Sequence, residues 1–294
     1  MTTLSTRPRP RTRPRSRTWL SLRQGRRGLL YLALLGGGLI WLYPFLWALG
    51  SSLKSTDGFF SGGLNPIPSE FHWSNYSEAW TQADFSRFFV NTVLFAMGTV
   101  VVTLLATSMA GYVLARTDFP GKKIWLGLVG VTLFLPHGYT IIPVFDLIQR
   151  LHLLNTLWSV IIVQSAGGMV FGTFLFMGYF TTIDRGLEDA ARVDGASFHQ
   201  IFWRIMLPLS GPMLATVGLF ACITAWNSFF IPLVFTLSRP ELHTLSVGMF
   251  NFIGQNSTAW TLVCAGSVIT LLPIVLIFVA LQRYFINGLA GAVK

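Results

Sequence analysis

The stretch from Glu188 to Pro212, EDAARVDGASFHQIFWRIMLPLSGP, is a polar island in a chain otherwise built of long apolar runs. Apolar runs of that kind are typical of helices that cross a lipid bilayer, where charged side chains are costly. A charged segment between two such runs is therefore expected in water beside the membrane. We expect the function of the chain to depend on this segment.

The composition of the whole chain indicates a membrane protein. Of 294 residues, 52% are hydrophobic and 11% are charged, with a mean hydropathy of +0.59, whereas a soluble domain has about 25% charged residues. Six apolar runs reach the roughly 20 residues that a spanning helix needs. The sequence thus predicts an all-α membrane protein with six transmembrane helices and the polar island between the fourth and fifth. The spans are Leu29–Ser51, Phe89–Leu114, Ile124–Phe145, Leu157–Phe180, Met213–Phe235 and Thr258–Leu281.

Basic residues set the expected orientation. If the N-terminus is cytoplasmic, seventeen of the twenty-one Lys and Arg residues fall in cytoplasmic segments. The positive-inside rule therefore places both termini and the polar island in the cytoplasm. The outer loops keep Lys54, Arg87, Arg150 and Arg239. The charge pattern therefore predicts a multi-pass membrane protein with both termini in the cytoplasm.

Residues 1–27 carry nine Arg among Pro, Thr and Ser, which largely explains the net charge of +10. A segment of this composition is predicted to be a disordered cytoplasmic tail that lies against anionic membrane lipid, and not a nucleic-acid-binding element. Residues 28–287 are then predicted to form the six-span membrane domain, and residues 288–294 a cytoplasmic C-terminal tail. Cys222 and Cys264 both fall in predicted spans and are interpreted as packing residues.

The polar island, extended back to residue 184, is predicted to be two short helices around a turn. Asp184 is suited to cap a helix from Arg185 to Val193, and Asp194 to cap a second one, Gly195 to Leu207, which Pro208 would end. Gly195 would permit a close approach of the two helices or of a partner backbone. Four apolar residues share one face of the second helix at i, i+3, i+4 and i+7, namely Phe198, Ile201, Phe202 and Ile205.

The segment Asp189-Ala190-Ala191-Arg192-Val193-Asp194-Gly195-Ala196, continuing to Pro208 and Pro212, resembles the EAA loop of ABC importer permeases. The similarity extends to Phe119–Lys123, Ala225–Asn227 and the C-terminal residues Gln282–Phe285 and Gly291–Lys294. These segments are similar to the carbohydrate-uptake branch of that family, and in particular to the second permease of a maltose-type pair. The resemblance covers nearly all of the chain after the basic tail.

The resemblance implies a non-enzymatic translocation subunit that works with other chains. They would be a second permease in a heterodimer, two cytoplasmic ATPase subunits that bind ATP and Mg²⁺, and an extracytoplasmic solute-binding protein. This chain itself would hold no cofactor or metal. In the family, the EAA loop forms the coupling helices that dock on the ATPase, which would make the docking residues here Glu188, Asp189, Ala190, Ala191, Asp194, Gly195 and Ala196.

Two departures from the family pattern affect these expectations. The usual first Glu of the motif is Asp189, one methylene shorter, although Glu188 precedes it. An ion pair with the ATPase could therefore be weaker or be made by a neighbour. The Trp226-Asn227 pair is usually followed by Glu, whereas this chain has Ser228, so the sugar specificity of relatives cannot simply be transferred.

Polar or aromatic groups inside the spans are candidates for the translocation path, because they are costly unless they face protein or water. Aromatic faces and amides also suit the CH groups and hydroxyls of a sugar. Each of these residues could instead make a helix–helix hydrogen bond or pack as an aromatic. The candidates are Trp226, Asn227, Ser228, His137, Tyr139, Gln164 and Asn91.

Other functional classes lack their signatures. The sequence has no HExxH, GxSxG or GxxxxGK[ST] motif, so neither a membrane-embedded hydrolase nor an ATPase is indicated. All eleven acidic residues lie in loops or at span ends, which disfavours an ion-coupled secondary transporter. Within the ABC importers, the solute could be a sugar, an oligosaccharide, a polyol, a glycerol phosphate or an amino acid.

Overall fold

A computed structural model of the protein describes residues 17–134, 140–253 and 258–292. Within these ranges the regular secondary structure is helical and there is no β-strand. Ile253 and Thr258 form an isolated antiparallel bridge. The helices are α1 (Arg17–Ser51), α2 (Thr56–Ser61), α3 (Ser74–Gln82), α4 (Phe85–Arg116), α5 (Lys122–Val131), α6 (Ile141–Arg150), α7 (Leu157–Thr182), α8 (Arg185–Val193), α9 (Phe198–Ile201), α10 (Leu207–Leu209), α11 (Gly211–Trp226), α12 (Phe230–Phe235), α13 (Leu245–Gly248) and α14 (Trp260–Ala292).

Four helical segments are long and apolar enough to cross a membrane: Leu30–Ser51, Phe85–Arg116, Leu157–Thr182 and Trp260–Ala280. They correspond to the first, second, fourth and sixth predicted spans. A fifth candidate is the pair Phe198–Leu209 and Gly211–Trp226, which is bent by 77°. The prediction of an all-α membrane protein is thus confirmed, whereas a count of six spans is not established by these helices.

The third and fifth predicted spans are not single helices. In the third, α5 ends at Val131, a 3-10 turn covers Thr132–Phe134, and α6 begins at Ile141. In the fifth, α11 ends at Trp226 and α12 begins at Phe230. The prediction of continuous helices was wrong here because apolar composition alone does not register a local break in the backbone hydrogen bonds.

Two further differences concern the ends of the chain. Helix α1 begins at Arg17, so residues 17–27 of the predicted disordered tail are helical, and residues 1–16 lie outside the described ranges. Helix α14 continues to Ala292, through most of the predicted C-terminal tail. Cys222 and Cys264 are free thiols.

Helices α4 and α7 pack closely along their length, and glycines make this possible. A Cβ at Gly111 of α4 would lie 2.5 Å from the Cβ of Phe176 and 2.9 Å from the backbone N of Met177. A Cβ at Gly172 of α7 would lie 2.8 Å from the Cγ2 of Thr107. Small residues at helix interfaces let backbones approach within van der Waals contact, as is common between membrane helices.

The buried apolar side chains form two clusters. One lies where α4 begins and includes Phe85, Phe88, Phe235, Leu245 and Phe252. The other lies where α4 and α7 end, and joins their ends to the polar island: Tyr112, Ala115, Phe176, Phe180, Ala191, Ile201, Phe202, Met206, Met213 and Val217. The island is therefore packed against the helix bundle and does not extend freely from it.

Candidate functional site: the hairpin and the cavity

The hairpin is formed by α8, α9 and the residues between them. Helix α8 begins where the carboxylate of Asp184 accepts a hydrogen bond from the backbone N–H of Gly186 at 3.1 Å. This cap satisfies an otherwise unpaired amide of the first turn. The predicted helix Arg185–Val193 and its cap are thereby confirmed.

The second helix begins three residues later than predicted, and its cap is a different residue. Ser197 accepts from the N–H of Gln200, and the Gln200 side chain accepts from the N–H of Ser197, which is a capping box. Asp194 instead ends α8. The predicted cap at Asp194 was wrong because Gly195, with φ +83°, turns the chain before a new helix can start.

The backbone conformation at residue 195 favours glycine, whereas crowding by other residues of the chain does not require it. A φ of +83° lies in the left-handed region, where a Cβ is disfavoured and glycine is not. A Cβ built at this position meets no atom within 4 Å. The predicted close approach of the two helices at Gly195 is therefore not what the structure shows, and the space beside the turn is open.

The second helix does not end at Pro208, as the sequence had suggested. A π-helical segment, Phe202–Met206, leads into α10, and Pro208 lies within that short helix. The chain then bends by 77° into α11. At the bend, the Ser210 hydroxyl donates to the Leu207 carbonyl at 2.7 Å. The hairpin is thus joined to α11 through a bent, nearly continuous helical path.

The apolar face of the second helix packs on Tyr112 of α4. The ring centroid of Tyr112 lies 4.8 Å from that of Phe198, 5.2 Å from Phe202 and 5.5 Å from Phe180. Ile201 is fully buried beside them. The predicted shared face is confirmed, and it fixes the second helix against α4 and α7.

An ion pair also attaches the hairpin to α4. Arg116, the last residue of α4, places its Nε 2.5 Å from the Oε1 of Glu188, and both side chains are 4% exposed. The Tyr112 hydroxyl donates to Oε2 at 3.3 Å. Arg116 also donates from Nη2 to the carbonyl of Ile183, just after α7, at 2.8 Å. This contact could not be predicted from the sequence, because no local pattern relates residues so far apart in the chain.

The seven residues predicted to dock the ATPase do not share one surface. Asp189, Ala190, Asp194 and Gly195 are exposed, Ala196 is partly buried, and Glu188 and Ala191 are buried against the bundle. Glu188 and Ala191 thus cannot contribute to an exposed docking surface. Val193, which is not among the predicted docking residues, is 87% exposed beside the turn. We call Asp189, Ala190, Val193, Asp194 and Gly195 the hairpin surface.

Three candidates for the translocation path have structural partners instead. Trp226 is buried, and its Nε1 donates to the carbonyl of Thr270 at 3.0 Å. Asn227 donates from Nδ2 to the carbonyl of Ile223 at 2.9 Å, where α11 ends. Asn91 donates to the carbonyls of Glu241 and His243. These contacts favour a packing or capping role for all three.

Gln164 and Ser228 come together at a cavity of about 670 Å³ between α6, α7 and α12. The cavity lies beside the breaks in both interrupted spans, and its lining includes Thr132, Ile141 and Phe229. Gln164 also borders a smaller cavity of about 270 Å³ with Thr99 and Thr224. Its Oε1 is buried and makes no hydrogen bond within the described part of the chain. His137 and Tyr139 lie outside the described residues.

The described residues contain no group of three or more His, Cys, Asp or Glu side chains that could hold a metal ion. The described residues instead form an exposed hairpin with buried connections to α4 and α7, and a cavity near two helix breaks. This combination is suited to transmitting motion and to passing a solute.

Comparison with known proteins gives consistent matches. Residues 39–290 match the family model described as "Binding-protein-dependent transport system inner membrane component". The "Probable ABC transporter permease protein YurM" of Bacillus subtilis is 35% identical over 86% of this chain and 83% of its own length. The "Melibiose/raffinose/stachyose import permease protein MelC" of the same organism is 34% identical over 85% of this chain and 91% of its own.

A solved structure is also similar. It is described as the "Crystal structure of a bacterial ABC transporter involved in the import of the acidic polysaccharide alginate", and the matched chain has a TM-score of 0.79 and 26% sequence identity. The match covers 93% of this chain and all of that chain.

Proposed function

Because this chain belongs to the family of binding-protein-dependent transport system inner membrane components, we propose that it is a permease subunit of an ATP-driven ABC importer for a sugar or oligosaccharide. Curated relatives named for sugars support this solute class, among them MelC and the arabinooligosaccharide permease AraQ of Halalkalibacterium halodurans, 35% identical over 86% of this chain. The importer would move its solute by alternating access, with its central site opening to one side of the membrane at a time.

The energy for transport comes from other chains in this proposal. The sequence has no phosphate-binding GxxxxGK[ST] loop, so ATP and Mg²⁺ would be bound by a pair of separate ATPase subunits. A second permease would complete the membrane part, and an extracytoplasmic binding protein would deliver the solute. This chain would catalyse no reaction.

The observation that carries the proposal is the exposed hairpin surface at the ends of α4 and α7. Val193 is an apolar side chain left 87% exposed, and the nearby residues Asp189 and Asp194 are exposed as well. An exposed apolar side chain beside exposed carboxylates is compatible with the apolar centre and polar rim of a protein–protein contact. We assign this surface to the ATPase, with Gly195 leaving room for a close approach of its backbone.

The proposed topology has six crossings with both termini in the cytoplasm of a prokaryote, and the protein lies in the plasma membrane. Four continuous helices would make four crossings. Helix α11, with α12 after its break, would make another. Helices α5 and α6, on either side of residues 135–139, would form the sixth. The excess of Lys and Arg on the hairpin side supports the cytoplasmic assignment of that side.

The cavity bordered by Gln164 and Ser228 is the proposed solute path within this subunit. Transporters commonly bind their solutes where membrane helices are interrupted. The unpaired backbone groups at an interruption are tolerated only where they face water or protein, so interruptions often border a cavity. The unpaired Oε1 of Gln164 could accept a hydrogen bond from a sugar hydroxyl. The ring of Phe229 would cover a CH-rich face of the solute.

The proposal is tested with the assembled importer in proteoliposomes. We expect ATP-dependent uptake of melibiose, raffinose or stachyose, and stimulation of ATP hydrolysis by the solute-loaded binding protein. Replacement of Val193 by Asp should lower co-purification of the ATPase by about tenfold, since it places a charge in an apolar contact. The matched control is Leu237→Asp, at a residue 67% exposed in the loop after α12. Equal ATPase recovery with Val193→Asp would contradict the docking assignment.

A further inference from the structure

The contact between Arg116 and Glu188 joins two parts of the protein that the chain connects only distantly. Arg116 ends α4, and Glu188 lies in α8 of the hairpin, facing away from the hairpin surface. Both side chains are 4% exposed. The same guanidinium donates to the carbonyl of Ile183, so α4 holds both the end of α7 and the start of the hairpin.

Burial makes this attachment stiff. A buried ion pair resists separation, because removing one partner leaves the other charge without compensation in a poorly solvated place. Replacing both partners by neutral groups of similar shape is far better tolerated. Within the described contacts, Tyr112 further confines the Glu188 carboxylate by donating to Oε2. The hairpin therefore cannot shift relative to α4 without breaking several contacts together.

The exposed face of the hairpin is linked to this pair through Arg192. Its Nη1 lies 3.6 Å from the Oδ1 of Asp189, and its Nη2 lies 3.7 Å from the Oε2 of Glu188. Arg192 is 54% exposed and Asp189 is 69% exposed. The four side chains thus form a charged row that runs from the hairpin surface to the end of α4.

We infer that Arg116 and Glu188 are positioning residues that fasten the hairpin to α4 and α7. A displacement of the hairpin surface would then reach α4 directly, in addition to reaching α11 through the 77° bend. The inference rests on the proposed function and adds to it the route by which motion enters the spanning helices. Neither residue contacts the ATPase or the solute, because both are buried between α8 and α4.

The test compares three variants of the assembled importer: Glu188→Gln, Arg116→Gln and the double variant. Uptake of a mixture of melibiose, raffinose and stachyose is measured by mass spectrometry and divided by the ATP hydrolysed. We expect each single variant to lose about tenfold in this ratio while still hydrolysing ATP. The double variant should lose about as much as either single variant, since the same contact is broken in all three. Arg150→Gln, which breaks the exposed Arg150–Asp146 ion pair of α6, is the matched control and should leave the ratio unchanged.

Wild-type ratios in both single variants, or losses that simply add in the double variant, would overturn the inference. If the single variants fail to assemble, the double variant decides, and a wild-type ratio in it overturns the inference. Absence of ATP-driven uptake of the three sugars by the unaltered importer would instead refute the proposed solute.

Hydrogen–deuterium exchange gives a readout that needs no solute. ATP with vanadate should change the exchange of backbone amides in α8 and at the end of α4 of the unaltered importer. In Glu188→Gln the change should persist in α8 and disappear at residues 112–116. Persistence at both places would overturn the inference whatever the transported solute.

Discussion

Gly195 sets the geometry of the hairpin surface at the scale of one residue. Its φ of +83° costs a residue with a Cβ about 1–2 kcal/mol, whereas Asn adopts such angles more readily than other residues. Because a Cβ here meets no atom within 4 Å, the chain itself leaves room for a small added side chain, and an effect of its bulk would indicate a partner. Conformation and bulk can therefore be separated by choice of substitution.

We expect Gly195→Val to strain the turn and to uncouple ATP hydrolysis from uptake. Gly195→Asn should keep the turn and still lower uptake per ATP, by a smaller factor, since its side chain occupies the space proposed for the ATPase backbone. The measurement is uptake and ATP hydrolysis in the same proteoliposomes. Normal coupled uptake by Gly195→Val would count heavily against the docking assignment.

His243, in the loop before α13, gives the protein a pH dependence. Burial lowers the pKa of its imidazole, and the nearby Glu241 only partly opposes this effect. The Nε2 atom is buried without a hydrogen-bond partner in the described structure, and the ring lies against Phe88. The folded protein therefore favours the neutral imidazole.

The sign of the effect follows from linkage. The unfolded imidazole takes up a proton near its ordinary pKa of 6.5, while the folded one does so only at lower pH. Stability is thus fully present above about pH 6.5 and falls as the pH decreases. We expect the melting temperature in detergent to drop less between pH 7 and pH 5 in His243→Gln than in the unaltered protein. His152→Asn, at an exposed histidine, is the control and should keep the original drop.

At the scale of elements, local signals predicted α8 well and the start of α9 poorly. Asp184 precedes α8 directly, so the cap and helix were readable from neighbouring residues. For the second helix, Asp194 and Ser197 are both good caps, and the Ser-x-x-Gln capping box at Ser197 was the signal that could have decided between them. The Arg116–Glu188 pair had no such signal, because it arises from the packing of α4 on α8.

The close packing of α4 on α7 makes a prediction about glycine. Gly111→Ala would place a Cβ against the backbone N of Met177, which cannot move without shifting α7. We expect a loss of about 1–3 kcal/mol in stability, typical of an overpacked site. The control is Gly178→Ala in α7, where a Cβ meets nothing and helix propensity should improve. Thermal unfolding in detergent measures both, and equal stability of the two variants would contradict the tight interface.

At the scale of the whole molecule, the spanning helices and the cavity were predictable to different degrees. Long apolar runs identified four spans because composition decides whether a helix is stable in lipid. Composition did not show which of the polar candidates inside the spans border a cavity and which make structural hydrogen bonds. Trp226 and Gln164 look alike as isolated polar groups in a sequence, yet one is paired with Thr270 and the other borders a cavity without a partner.

This difference predicts opposite effects for two substitutions. Gln164→Leu should raise the KM for sugar uptake by about tenfold, the effect of losing one hydrogen bond to the solute, with little change in melting temperature. Trp226→Phe removes the bond to Thr270 and should lower stability by about 1 kcal/mol with an unchanged KM. Concentration-dependent uptake and thermal unfolding distinguish them. An unchanged KM in Gln164→Leu would remove this residue from the solute path.

The interruption between α11 and α12 leaves backbone carbonyls at a helix end, and side chains pair with them. The side-chain amide of Asn227 donates a hydrogen bond to the carbonyl of Ile223, and the Ser246 hydroxyl donates to the carbonyl of Trp226 at 3.2 Å. These side chains take the place that water would otherwise fill at an exposed helix end. Without these two short polar side chains, the carbonyls at the end of α11 would have to bind water at a helix break, so the dryness of this segment depends on both.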